Sequence, residues 1–143
     1  MPAQNPVAMD RDSWRIRVLV ADDHAIVRQT LSALIDKELD MEVIGEAADG
    51  QQAIEQARLL QPDVVIMDVT MPRMNGLDAT RAIRAEMPRV AVVGLSMHNR
   101  ADMARAMRDA GAMAYLVKDG PVEAIVAAVR AGAGHAHVPH MFF

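Results

Sequence analysis

Three acids, a hydroxyl and a lysine each stand directly behind an apolar run of this 143-residue chain. Asp22 and Asp23 follow Ile16-Arg17-Val18-Leu19-Val20-Ala21, and Asp68 follows Val64-Val65-Ile66-Met67. Ser96 follows Val90-Ala91-Val92-Val93-Gly94-Leu95, and Lys118 follows Ala112-Met113-Ala114-Tyr115-Leu116-Val117. Three carboxylates held close together repel one another, and without compensating charge at least one keeps its proton at neutral pH. A hard divalent cation resolves the conflict. Mg²⁺ takes oxygen ligands, uses one or two carboxylates and keeps waters that a phosphoryl oxygen can replace. Lys118 would add a movable positive charge and Ser96 a hydroxyl donor. Phosphoryl transfer is catalysed mainly by positioning and charge neutralisation, and a carboxylate can serve as its nucleophile.

That chemistry requires a fold that brings the five side chains together. The four apolar runs are continuous, which suits strands buried on both faces of a parallel sheet. Met41-Glu42-Val43-Ile44-Gly45-Glu46-Ala47 carries more charge and suits an edge strand. Between the runs, apolar residues recur at helical spacing: Val27, Leu31, Leu34 and Ile35; Ile54, Ala57 and Leu60; Ala79, Ile83 and Met87; Met103, Met107 and Ala110; Val122, Ile125, Val126 and Val129. Gly50 and Pro121 fall near helix starts, and Pro62 and Pro88 follow helix ends. Five strands alternating with five helices predict an α/β fold, a doubly wound parallel sheet covered on both faces. In such a sheet ligands bind beyond the carboxyl ends of the strands, where Asp22, Asp23, Asp68, Ser96 and Lys118 would converge. Residues 1–15 are polar, with two prolines, and read as a disordered leader. Residues 16–131 form one domain, and residues 132–143 read as a linker stub or tail.

Composition excludes several classes. The chain has no cysteine, so a disulfide framework, a thiolate zinc finger and a thiol nucleophile are ruled out. Aromatics make up only 3% against 52% apolar residues and 12 methionines, so the core must be aliphatic. A net charge of −4 argues against a free-standing nucleic-acid binder. No run is long enough for a membrane helix, and the first fifteen residues lack an apolar signal core, so a cytoplasmic protein is expected.

The order Asp22-Asp23, then Asp68-Val-Thr-Met-Pro-Arg-Met-Asn-Gly76, then Ser96, then Tyr115 and Lys118, resembles the receiver domain of bacterial two-component response regulators. The stretches ADDHAIVRQTL, GEAADGQQAIEQA, PDVVIMDVTMPRMNGLDATRAIR and GAMAYLVKD are most similar to the NarL/FixJ subclass. The resemblance spans about residues 16–131. It implies a flavodoxin-like sheet of strand order 2-1-3-4-5 and a phosphoryl group passed to Asp68 from a sensor histidine kinase or phosphotransfer protein. Asp23, Asp68 and the backbone carbonyl of Thr70 would bind Mg²⁺ directly, with Asp22 acting partly through water. Lys118 would pair with Asp68 and then with the phosphoryl group. Ser96 would hydrogen-bond a phosphoryl oxygen, Tyr115 would be the switch aromatic, and Pro72 and Gly76 would shape the loop after Asp68. The readout face would comprise the fourth helix (about residues 99–110), the fifth strand and the fifth helix. Met97, Met103, Met107 and Met113 cluster there in sequence as adaptable contact residues, although a methionine stripe on such a helix is more often core than interface. A homodimer through that face is a further expectation. Thr70 carries neither carboxylate nor amide at the position beside the attacking water, which leaves phosphoryl lifetime open. Phe143 stands where the linker to a helix-turn-helix domain would begin, so no DNA binding is expected of this chain alone.

Taken singly, the same residues read more plainly. Asp22 would be a turn or helix cap, Lys118 a solvated charge, Ser96 a cap and Tyr115 core packing. His24 could be a metal ligand, but reads more simply as a first-turn surface residue. His135, His137 and His140 have no cysteine or acid nearby to complete a transition-metal site. Three other functions compete. An aspartate-nucleophile phosphohydrolase would want a second acid where Thr70 stands. A flavin-binding electron carrier would want a hydroxyl-rich loop where Asp22 and Asp23 stand. A receiver-like scaffold that is never phosphorylated would not need the full residue set.

Overall fold

The computed structural model describes residues 14–134. The leader and tail assigned from the sequence fall largely outside them. Strands and helices alternate throughout: β1 (Ile16–Ala21), α1 (Ala25–Asp36), β2 (Met41–Ala47), α2 (Gly50–Leu60), β3 (Val64–Asp68), α3 (Gly76–Glu86), β4 (Ala91–Ser96), α4 (Ala101–Asp109), β5 (Ala114–Val117) and α5 (Val122–Gly132). The strands form one parallel sheet of order β2-β1-β3-β4-β5, as the resemblance implied.

Alternate residues of a strand point to opposite faces, so each central strand feeds two cores. Leu19, Ala21, Val65 and Met67 pack under α2, α3 and α4 with Ile54, Ala57, Ala79, Ile83 and Met107. Val18, Val20, Val64 and Ile66 pack under α1 and α5 with Leu31, Ile35, Ile125, Val126 and Val129. Burial on both faces explains the continuous apolar runs. The charged β2 pairs only with β1 and lies at the edge. The Arg130 guanidinium closes the α5 side with bonds to Asp40 at 2.8 Å and Glu38 at 2.9 Å.

Helix ends follow local chemistry. Asp49 caps α2 by accepting from the Gln52 N–H at 2.8 Å, and Asn75 caps α3 by accepting from the Asp78 N–H at 2.9 Å. Gln61 takes a left-handed conformation at φ 49 just before Pro62. α4 starts at Ala101, two residues later than the start of about 99 taken with the resemblance, because residues 97–100 belong to the loop after β4.

Two side-chain expectations change. Val27 and Leu34 are exposed, because α1 buries only Leu31, Ser32 and Ile35. With Ile26, Leu95, Val122 and Ile125 they line an apolar cleft of about 240 Å³ between α1 and α5. The methionine cluster is mostly core rather than surface. Met107 is fully buried, Met103 and Met113 pack partly buried against the two cores, and only Met97 stands out in solvent.

Candidate functional site

The parallel register sets the acidic and basic residues level with one another. Ala21 pairs with Met67, Asp68 with Leu95, and Ser96 with Val117, so the residues ending or following β1, β3, β4 and β5 gather along one sheet edge. Asp22 and Asp68 are 1% and 3% exposed. Lys118 Nζ lies 2.7 Å from Asp22 Oδ2 and 3.2 Å from Asp68 Oδ2, charge contacts without hydrogen-bond alignment. Asp23, Asp68, Thr70, Ser96 and Lys118 line a cleft of about 260 Å³ with His24, Met97 and His98; Asp22 reaches this group through Lys118. All five residues singled out in the sequence are therefore brought together.

Electrostatics are unbalanced in this pocket. Three carboxylates face one ammonium. Burial, and then the Asp22 charge, push the Asp68 carboxyl up to about 6 against the attraction of Lys118. Burial alone would lower the Lys118 ammonium, but the Asp22 and Asp68 carboxylates override it and raise it. Asp22 Oδ2 and Asp68 Oδ2 are buried and face the Lys118 ammonium, Asp23 Oδ1 is buried beside the His24 ring, and none of the three accepts a well-aligned hydrogen bond. Oxygens left in that state, with ligand atoms of Asp22, Asp23, His24 and Asp68 within 4.8 Å of one another, fit a divalent cation.

The remaining groups tie the pocket to its surroundings. The Thr70 N–H donates to Asp68 Oδ1 at 3.2 Å. The His98 N–H donates to Ser96 Oγ at 3.2 Å, and the Tyr115 hydroxyl donates to the His98 carbonyl at 2.8 Å. Ser96 and buried Tyr115 thus share one loop residue through its backbone. No side-chain pattern could announce that role, because both bonds use main-chain atoms. The loop after Asp68 is closed in the same way. The Gly76 N–H donates to Val69 O at 2.9 Å and the Gly50 N–H to Met74 O at 2.8 Å. Arg73, at φ 64, reaches the buried Asp49 at 3.1 Å. The Asp49–Gly50 pair and Arg73 were not singled out in the sequence as supports of the acceptor loop. The buried cap of α2 was the available signal.

The response regulator receiver domain model matches residues 18–130. The chain belongs to this family. It is 45% identical over 114 residues to the transcriptional regulatory protein PdtaR of Mycobacterium tuberculosis, covering 79% of this chain and 54% of that protein. It is 40% identical over 116 residues to the transcriptional regulatory protein LiaR of Bacillus subtilis, covering 81% and 55%. Among solved structures it resembles the signal receiver domain of the putative response regulator NarL from Mycobacterium tuberculosis. That match has a TM-score of 0.76 and 29% identity, over 81% of this chain and 97% of that one. The receiver chain spans about half the length of the curated relatives it matches. Its relatives are NarL/LuxR-family response regulators, and accepting a phosphoryl group is the standard function of the family. Receiver domains generally bind Mg²⁺ at an acidic cluster and interact with histidine kinases or phosphotransfer proteins. Among the described residues no helix is long and apolar enough to cross a membrane.

Proposed function

We propose that Asp68 is the phosphoacceptor of a receiver unit spanning residues 16–131, acting in the cytoplasm. The observation that carries this reading is the buried Asp68 carboxylate at the end of β3, with Lys118 Nζ at 3.2 Å and the Asp22–Asp23 pair beside it. With a pKa of about 6, Asp68 is mostly ionised at neutral pH yet more basic than an ordinary carboxylate, which favours it as a nucleophile. An Asp68 oxygen attacks phosphorus, and an acyl phosphate forms as the bond from phosphorus to the donor imidazole breaks. The imidazole keeps that electron pair and takes a proton from solvent. Asp23, Asp68 and the Thr70 carbonyl would hold Mg²⁺, with Asp22 acting partly through water; the ion would supply positive charge to the phosphoryl oxygens. Lys118, already beside Asp68, would neutralise charge on the transferred group. Ser96 donates its hydroxyl to a phosphoryl oxygen, which draws on the His98 loop and on Tyr115. The chain then acts as a signalling domain that catalyses only its own phosphorylation and dephosphorylation.

The readout in this reading is the α4-β5-α5 face, with residues 1–15 and 132–143 outside the unit. Self-association there has a smaller apolar basis than the sequence suggested, since Met107, Ile125, Val126 and Val129 are buried and Met97 is exposed. Incubation with Mg²⁺ and acetyl phosphate should add one phosphoryl group to the intact mass. No gain is expected without Mg²⁺ or in Asp68→Ala. An unchanged gain in Asp68→Ala would overturn the assignment, and no uptake together with no beryllofluoride binding would favour a scaffold. Sedimentation of the same samples should show a dimer only after phosphorylation; a monomer in both states would remove the dimer from the reading.

A further inference from the structure

The acidic pair is held from behind by a side chain that lies outside the pocket. Asp22 and Asp23 stand in the turn between β1 and α1, and the main chain there is fixed at two points. The Asp22 N–H donates to the Ala47 carbonyl at the end of β2, at 2.9 Å. The Asp22 carbonyl accepts from Arg28 Nη1 at 2.8 Å. Arg28 ends the first turn of α1 and is itself held, because its Nε donates to Glu46 Oε1 of β2 at 2.8 Å. The Arg28 side chain is only 16% exposed. One guanidinium thus ties together the β1–α1 turn, α1 and β2, and its donors lie in a rigid planar fork.

A peptide unit is planar, so fixing the Asp22 carbonyl oxygen also fixes the nitrogen and Cα of Asp23. That determines where the Asp23 side chain starts. Asp22 is 1% exposed and lies against Lys118 at 2.7 Å, whereas the Asp23 side chain is 26% exposed and leans more on its own main chain. A bond from a charged donor is roughly twice as strong as a neutral one, which suits Arg28 to this task. We propose that Arg28 is a positioning residue for Asp23, acting through the Asp22 carbonyl to aim the Asp23 carboxylate into the cation site. This rests on the reading of Asp22, Asp23 and Asp68 as that site. Simple electrostatics makes the opposite prediction. Loss of a nearby positive charge leaves the pocket more negative, which by Coulomb attraction alone would tighten Mg²⁺. Loss of positioning weakens it.

The test is calorimetric titration of the full chain with Mg²⁺, beside its thermal unfolding. Arg28→Met keeps a stem of similar length but has no donor. Loss of an outer-shell partner costs about 10–100-fold in metal affinity, so this variant should weaken Mg²⁺ by roughly tenfold. Arg28→Lys keeps a charged donor and should recover part of that loss. Arg130→Met breaks a clamp of the same kind, between α5 and the turn that carries Glu38 and Asp40. It should lower the melting temperature and leave Mg²⁺ affinity within about twofold. Mg²⁺ affinity unchanged or tightened in Arg28→Met, no recovery in Arg28→Lys, or an equal loss in Arg130→Met would overturn the proposal while leaving the cation site standing. Absence of Mg²⁺ binding in the unaltered chain would instead bring down the cation-site reading and the proposal with it.

Discussion

Asp68→Asn is expected to be more stable than the unaltered chain at pH 7.5 without divalent cations. Burial and the neighbouring Asp22 raise the Asp68 carboxyl from 3.8 to about 6. An acid whose folded value lies above its unfolded value binds protons more tightly in the native state. Stability is therefore highest below the unfolded value, falls as pH rises from about 4 to about 6, and stays reduced above that. A shift of about two units corresponds to about 3 kcal/mol at neutral pH, and it already includes the opposing attraction of Lys118. Asparagine cannot ionise, so it escapes this cost while keeping the side chain's shape. Thermal unfolding should show Asp68→Asn higher by several degrees at pH 7.5, with the two proteins converging near pH 4. Saturating Mg²⁺ should raise the unaltered chain and narrow the gap, because an ion bound only by the native state stabilises it. An equal or lower melting temperature for Asp68→Asn at pH 7.5 would show that the carboxylates are not in conflict.

Gly76→Ala should combine a large loss of stability with a large loss of phosphoryl uptake. By helix propensity alone, alanine is favoured over glycine, by about 1 kcal/mol in a helix interior and by less at the first position that Gly76 occupies. Here a Cβ would stand 2.0 Å from the Asp68 carbonyl oxygen and 2.8 Å from Val69 Cα. Both are backbone atoms, so no side chain can swing aside. The Gly76 N–H is bonded to Val69 O and its carbonyl accepts from Thr80 Oγ1 at 2.7 Å, so α3 cannot easily retreat. Overpacking of this kind costs about 1–3 kcal/mol. Relief requires moving the main chain of Asp68, and a misplacement of about 1 Å can cost about a hundredfold in rate. Urea unfolding and intact-mass kinetics should show both effects. Gly120→Ala, whose nearest foreign atom is the Val117 oxygen at 3.2 Å, should be far milder. If Gly76→Ala proved stabilising, as propensity suggests, the close approach at Asp68 would be refuted.

The fold was legible because burial on both faces leaves a direct trace. Val18 to Val20 and Val64 to Met67 are apolar without a break, since alternate residues serve different cores. The site was legible because its side chains come from strand ends, where the residue type changes abruptly at Asp22, Asp68 and Lys118. Less could be read where partner choice decides. Val27 and Leu34 have the same spacing as Leu31 and Ile35, but α1 offers only a narrow strip to the sheet. Met107 and Met97 differ in burial because one lies on the inner side of α4 and the other in the loop after β4. The Ser96–His98–Tyr115 linkage and the Gly50–Met74 contact run through backbone atoms, which residue identity does not encode.

The most direct test of the central claim is the position of the phosphoryl group. The chain would be loaded with acetyl phosphate and Mg²⁺, treated with borohydride, digested and sequenced by mass spectrometry. An acyl phosphate is reduced at its carbonyl carbon, which converts the acceptor aspartate to homoserine. Homoserine at position 68, and nowhere else, is the predicted result. Homoserine at 22 or 23, or a phosphoryl group that survives hydroxylamine, would contradict it.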